Sequence, residues 1–328
     1  MPAFSVVIPL YNKGPHIERT LLSVLSQTIQ DFEVVIIEGG SEDDGPEIVK
    51  KMMNNDYRIR LIRQNGKGVS LARNQGVLES KSDFIAFLDA DDEWTSCHLD
   101  TLLRLRKKYP MAGAYTSSFK ICRQNGELSN PEYNEMPPAP WEGIIPNYFK
   151  SATLGQDPIW TSAVGIPKKI FREVGYFPVN AWFGEDTDMW GRIALKYPIA
   201  FSWEIGAIYH MEAVNRICYR KDPVGEHPFV KTASKFIKDN KDLSEETYYL
   251  KEYIAKKKIQ SAFQNIVAGH PKTGKKQLKN CETKIFYWTK IYYLFLASIP
   301  HSVSIRLRKL IRGSKKLTKK ETYRNPLK

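Results

Sequence analysis

Cysteine is scarce in this chain: Cys97, Cys122, Cys218 and Cys281 stand singly among 328 residues, with no CxxC pair. Neither a disulfide framework nor a zinc site is indicated, which fits a reducing cytoplasm. The glycine pattern of a dinucleotide site is also missing. No GxGxxG follows the first apolar segment, and Gly66-Lys67-Gly68 lacks the third glycine, so a Rossmann dehydrogenase is not expected. Residues Gly269 to Lys275 copy most of a phosphate-binding P-loop, yet Lys276 stands where Ser or Thr must hold Mg²⁺, and Ile259 to Ala268 before it reads as helix. A helix–helix turn is expected there instead. The opening, Met1 to Leu10, has no basic start and its apolar run is cut by Pro9. No secretory leader is expected, and the chain should remain in the cytoplasm.

A hydrophobic content of 42% over this length supplies a full core, enough for one large domain with an appendage or for two domains. The net charge of +13 is unevenly distributed. From Tyr219 onward there are 26 Lys/Arg against 9 Asp/Glu, or +17, leaving 23 against 27, or −4, for residues 1 to 218. A uniformly basic chain would point to nucleic acid. A slightly acidic globular part with a basic extension points instead to an anionic surface, and no nucleic-acid partner is expected.

The most informative stretch is Phe84 to Trp94, FIAFLDADDEW. Its five apolar residues read as a strand buried on both faces of a parallel sheet. Asp89, Asp91, Asp92 and Glu93 then crowd together, and carboxylates this close raise one another's pKa unless a cation sits among them. Oxygen-only ligands suit Mg²⁺ or Mn²⁺, and in an open α/β sheet ligands bind at the carboxyl ends of the strands. The same acids also suit a polar turn in which Thr95 or Ser96 caps a helix reaching Lys108.

Strand and helix patterns alternate on either side of this stretch. Phe4 to Leu10, Phe32 to Ile37 and Arg60 to Arg63 read as strands; helical spacing follows at Ile17 to Leu25, Pro46 to Met53 and Ser70 to Glu79. The pattern predicts an α/β, doubly wound, mainly parallel sheet. Gly113 to Ile121 and Trp160 to Ile166 are further strands, with a helix from there to Val174. Between them Asn125 to Pro146 holds five prolines, and a mobile flap over the site is expected. Trp182 to Trp190, WFGEDTDMW, places Glu185, Asp186 and Asp188 at the front of a helix running to Leu195. Acids there complement a helix dipole; the aromatic flanks also offer stacking surface and a setting that raises a carboxylate toward a working base.

VVIPLYNKG, IIEGGSEDDG, GVSLARNQG, FIAFLDADDEW and FGEDTDMWGRIA, in this order, resemble the family 2 glycosyltransferases of the GT-A fold, inverting enzymes that use nucleotide sugars. The likeness covers roughly residues 3 to 216. It implies a catalytic domain over 1–218, divided into a nucleotide-sugar-binding half (1–110) and an acceptor half (111–218), with a helical, basic extension over 219–328. By this resemblance Pro9 and Tyr11 line the nucleoside pocket and Glu38 contacts the base. Many relatives have two aspartates before the glycine-serine, whereas this chain has Glu38 and then Gly39. Arg73 would bind the donor's phosphates, and Asp89 and Asp91 would meet the ribose and the metal, with Asp92 as a helper. Asp186 would be the catalytic base, and Glu185 would hold the acceptor or take that role. Trp182 and Phe183 would contact the acceptor. His210, or the neighbouring Asn215-Arg216, would return to the diphosphate or metal.

The expected function is metal-dependent transfer from a UDP-sugar to a glycan or lipid-linked acceptor in surface polysaccharide or glycoconjugate synthesis. A sugar-phosphate nucleotidyltransferase is the alternative, but it would carry a glycine-rich basic loop after its first strand. A non-catalytic nucleotide-sugar-binding protein of the same fold is the other alternative, and it would have lost its acids. Ile285 to Ile299, IFYWTKIYYLFLASI, is too short to span a bilayer and carries Lys290; the basic run Arg306 to Lys320 follows it. Attachment to an anionic inner membrane face is expected, with packing of these aromatics on protein as the other reading.

Overall fold

The computed structural model describes residues 1–215, 220–240, 244–300 and 303–304. The chain divides into two units, Met1–Tyr219 with Pro228–Tyr253, and Arg220–His227 with Ile254–Lys328.

The first unit begins with β1 (Phe4–Leu10), α1 (Gly14–Leu25), β2 (Phe32–Glu38), α2 (Gly45–Asn55), β3 (Ile59–Arg63), α3 (Val69–Glu79) and β4 (Phe84–Phe87). These strands lie parallel in the spatial order β3-β2-β1-β4, the arrangement that right-handed helical crossovers impose. Residues of β1 alternate between the two faces of the sheet. Phe4, Val6 and Ile8 join Ile17, Leu21 and Val24 of α1 in one core, whereas Val35 and Ile37 of β2 pack with Ala72 of α3. Gly76 lets α3 press close: a Cβ there would lie 2.3 Å from Val7 Cγ1. That approach fixes Arg73, three residues earlier on the same helix.

The chain continues through β5 (Glu93–Trp94), α4 (His98–Lys108), β6 (Ala114–Cys122), β7 (Leu128–Ser129), β8 (Glu142–Ile144), α5 (Tyr148–Leu154), a 3₁₀ turn over Thr161–Ala163, β9 (Val164–Pro167), α6 (Lys168–Val174), α7 (Glu185–Ala194) and β10 (Ile199–His210). The sheet extends as β4-β9-β6-β10-β5, with β7 on β6 and β8 on β10. β9 runs antiparallel to both β4 and β6, and β10 runs parallel to β6. The sheet is therefore α/β and mainly parallel, as expected.

Some elements differ from the sequence pattern. The strand expected to begin at Trp160 opens as the 3₁₀ turn, whose Ser162 hydroxyl and carbonyl serve the site, and becomes extended only at Val164. The proline-rich segment carries the short strands β7 and β8, which add to the sheet instead of standing apart from it. β10 had no clean period of two. Its register shifts between Ser202 and Ala207 explain why, since bulges move side chains from one face to the other.

Beyond these lie α8 (Pro228–Asp239), α9 (Glu245–Ala268), α10 (Pro271–Lys279) and α11 (Tyr287–Leu296). α8 and the start of α9 belong to the first unit. In the second unit, Ala255, Ile259, Ala262 and Ile266 pack with Leu278, Cys281 and Leu296. The P-loop-like stretch is a helix–helix turn: Gly269 has φ 96°, and α10 begins at Pro271. The extension expected to be helical is interrupted here: α10 ends at Lys279 and α11 starts afresh at Tyr287. Among the described residues no helix is long and apolar enough to cross a membrane.

Candidate active site

β4 ends at Phe87, and the Leu88 amide still donates to Val7 O at 3.1 Å, so the acid run begins at the carboxyl edge of the sheet. Its members diverge in role. Asp92 is buried; its Oδ2 accepts from Ser162 Oγ at 2.5 Å and from Trp160 Nε1 at 3.4 Å, and its Oδ1 accepts from the His210 amide at 3.1 Å. It ties together the end of β4, the 3₁₀ turn and the end of β10. Burial, with Asp91 and Asp89 nearby, pushes its carboxyl well above the ordinary range.

Asp89 and Asp91 are more open. Asp89 Oδ1 accepts from Arg73 Nη2 at 2.9 Å, and Asp91 Oδ2 accepts from Lys13 Nζ at 2.6 Å. Among the described residues no hydrogen bond reaches Asp89 Oδ2 or Asp91 Oδ1. An oxygen pair of this kind, already drawing two cationic side chains, suits a hard divalent ion.

Arg73 lies on α3 and is 4% exposed. Its Nη1 donates to Glu185 Oε1 at 3.1 Å, while Nη2 holds Asp89, and its guanidinium lies 5.5 Å from the Phe177 ring centroid. Burial favours its loss of charge, but Asp89, Glu185 and Asp186 together overcome that and raise its pKa. The sequence suggested that Arg73 grips phosphate; both of its terminal amines here contact carboxylates. The next residue, Asn74, donates to Phe177 O and accepts from Phe177 N, both at 2.9 Å, which fastens the loop before α7 to α3.

Gly184 adopts φ 77°, ψ 15° and caps α7, a left-handed position that a side chain would strain. The three acids that follow differ sharply. Glu185 is buried, and burial with Asp186 beside it pushes its carboxyl up to about 7 against the pull of Arg73. Asp186 is half-buried, and its Oδ1 accepts from the Thr187 amide at 2.6 Å. Asp188 is a structural anchor: it accepts from Arg192 Nε at 2.8 Å, while that guanidinium's other amines reach the carbonyls of Val174, Gly175 and Tyr176. Trp182 and Phe183 are half-buried and meet edge to face with ring centroids 6.0 Å apart. Buried Tyr148 and Tyr253 lie within the field of Asp186 and Asp157, which adds to burial in raising their phenols.

At the nucleoside end, Tyr11 is exposed and Pro9 pairs in register with Ile37. Glu38 folds back on its own turn, its Oε1 accepting from the amides of Gly40 at 2.7 Å and Ser41 at 2.5 Å. A Cβ at Gly39 would lie 2.9 Å from Gln64 Oε1, the movable end of a flexible side chain, and 3.3 Å from Leu10 O. His210 is buried at the end of β10; its Nδ1 bonds Glu212 and its Nε2 lies 3.5 Å from Glu93. Arg19 spans the same acids, with its Nε 3.3 Å from Glu93 and its Nη2 donating to Asp91 O at 2.8 Å. Arg216 lies outside the described residues.

Sequence reasoning missed Lys13, Arg19, Asn74, Ser162 and Arg192. Only Asn74 carried a signal, through its place beside Arg73; the others reach the site across 68 or more positions or, for Arg192, act on the loop before α7.

The chain matches the model for glycosyl transferase family 2 over residues 5–164, which form a domain of that family. It is 29% identical over 236 residues to a chondroitin synthase of Escherichia coli, an alignment that covers 70% of this chain and 30% of the synthase. The chain spans less than half the length of the first curated relatives it matches. Its fold matches that of Staphylococcus aureus TarS 1–349 in complex with UDP-GlcNAc, with a TM-score of 0.62 at 16% identity, covering 85% of this chain and 81% of that one. It also matches the mannosyltransferase PcManGT of Pyrobaculum calidifontis in complex with GDP-Man and Mn²⁺, with a TM-score of 0.56 at 17% identity, covering 94% and 87%. These likenesses establish the GT-A type of fold.

Proposed function

We propose that the chain is an inverting glycosyltransferase that moves a sugar from a UDP-sugar to a hydroxyl of a glycan or lipid-linked acceptor. The observation that carries this reading is the convergence of two acid clusters on one arginine: Asp89 from the sheet edge and Glu185 from α7 both contact Arg73. The strand-end cluster suits the donor's diphosphate, and the α7 cluster suits an acceptor hydroxyl. Intact acids in both favour an enzyme over a binding protein.

Asp91 and Asp89 would hold Mn²⁺ or Mg²⁺, which when bound neutralises charge on the leaving diphosphate. Asp186 serves as base. Asp186 is half-buried at the front of α7, whereas Glu185 is buried and contacts Arg73. The acceptor oxygen gives its proton to Asp186 and bonds to the anomeric carbon, while the bond from that carbon to the diphosphate oxygen breaks. One displacement needs one base and inverts the configuration. Trp182 and Phe183 offer the aromatic surface that sugar rings stack on. The chondroitin synthase relative supports a role in polysaccharide or glycoconjugate assembly.

The same reading places the protein on the cytoplasmic face of a membrane. Trp288, Ile291 and Phe295 are exposed on α11 at helical spacing, while Leu296 packs inward; such a face suits the headgroup boundary of an anionic leaflet. The basic run Arg306 to Lys320 lies outside the described residues.

The test is to incubate the protein with a panel of nucleotide sugars and Mn²⁺ and to measure nucleotide release. Slow hydrolysis of one UDP-sugar that disappears in Asp186→Asn is expected. Release of pyrophosphate from a nucleoside triphosphate and a sugar phosphate would instead favour the nucleotidyltransferase.

A further inference from the structure

Lys13 follows β1 and enters the site from the loop before α1. Its Nζ donates to Asp91 Oδ2 at 2.6 Å, and the same ammonium donates to Val214 O at 2.7 Å and Asn215 O at 3.4 Å. The contact is well shielded: the Lys13 and Asp91 side chains are 13% and 16% exposed. Other contacts join the same two segments. The Val214 amide donates to His16 Nε2 at 3.3 Å, and Asn215 Nδ2 donates to Asn12 O at 3.5 Å. Asn12 and Asn215, which make the last of these contacts, sit at φ 52° and 53°, left-handed conformations that asparagine tolerates better than most residues.

One lysine thus satisfies the carboxylate read above as the cation ligand and, through backbone carbonyls, fastens a turn 201 positions away. An ammonium on Asp91 Oδ2 and a divalent ion on the open Oδ1 would face each other across one carboxylate, and like charges that close repel. Whatever occupies Asp91 therefore decides whether Val214 and Asn215 keep their tether. We propose that Lys13 is an internal counter-cation that competes with the divalent ion for Asp91 and latches the Val214–Asn215 turn until the ion displaces it. The ion then does two things at once, completing the donor site and freeing the turn. Coupling of this kind is reciprocal: a chain without the latch binds the ion more tightly. The proposal rests on the reading of Asp91 as a cation ligand.

Mn²⁺ binding to the full chain without nucleotide, read from the paramagnetic signal of the free ion, tests it together with amide exchange over residues 212–215. Lys13→Met should bind Mn²⁺ roughly fivefold or more tightly, about the effect of one partly shielded ion pair. Lys13→Arg, which keeps the charge, should stay near wild type. Exchange at Val214 should quicken in Lys13→Met, and in wild type only when Mn²⁺ is added. Unchanged or weaker Mn²⁺ binding in Lys13→Met would overturn the latch, and Lys13→Gln with a melting curve guards against misfolding of the first variant. Asp91→Asn separates the two claims. If it weakens Mn²⁺ binding while Lys13→Met changes nothing, only the latch is wrong; if it leaves binding intact, the cation reading falls and the latch with it.

Discussion

Arg73 stands between Asp89 and Glu185, 2.9 Å from one carboxylate and 3.1 Å from the other. One buried guanidinium thereby sets the position of a strand-end acid relative to the acids of α7. Arg73→Met should leave two carboxylates without their shared cation and cost about 3–5 kcal/mol of stability. Arg73→Lys keeps the charge but lacks the fork that bonds both acids, so it should fold better yet lose most activity. Urea denaturation and donor turnover on both variants check this; Arg73→Met as stable as wild type would mean that the bridge is dispensable.

Glu185 makes a pH-dependent prediction. Its carboxyl is raised from 4.5 to about 7, so the folded state holds the proton more tightly than the unfolded chain. Stability from this group is full below about pH 4.5 and is lost as pH rises through 7. Glu185→Gln stays neutral throughout. Its stability relative to wild type should therefore grow between pH 5 and pH 8, at most about 1.4 kcal/mol per pH unit. Denaturation midpoints at several pH values check it, and a difference that does not change with pH would contradict it.

Asp186→Asn retains shape but cannot accept a proton. The rate should fall by about 10² to 10⁴ with UDP affinity unchanged. If the variant keeps most of its activity, the base is Glu185.

Much of this architecture was legible in the sequence because buried parallel strands such as Phe4–Leu10 and Phe84–Phe87 are continuous apolar runs, and because Gly184 and the acids after it mark a helix start. The candidate acids were legible as clusters. Their partners were not: Lys13 meets Asp91 and Ser162 meets Asp92 only after the chain has folded. The difference between Glu185, Asp186 and Asp188 was likewise hidden, since adjacent acids on one helical turn differ only in what packs around them. β10 escaped because its bulges break the alternation that would have announced it.

Membrane attachment is tested on the α11 face. Removing the helix would strip Leu296 from its cluster, so the cleaner variant is Trp288→Ser with Ile291→Ser and Phe295→Ser. Wild type should sediment with anionic vesicles at low salt and the triple variant should remain largely in the supernatant. Wild type left in the supernatant would end the membrane claim.

The central claim is that the strand-end acids bind a nucleotide through a divalent cation. Calorimetric titration of UDP, in Mn²⁺ and in EDTA, on wild type and Asp91→Ala, tests it most directly. Tight binding is expected only for wild type in Mn²⁺, with the variant weak in both. Equal UDP affinity with and without the ion, in both proteins, would contradict the account.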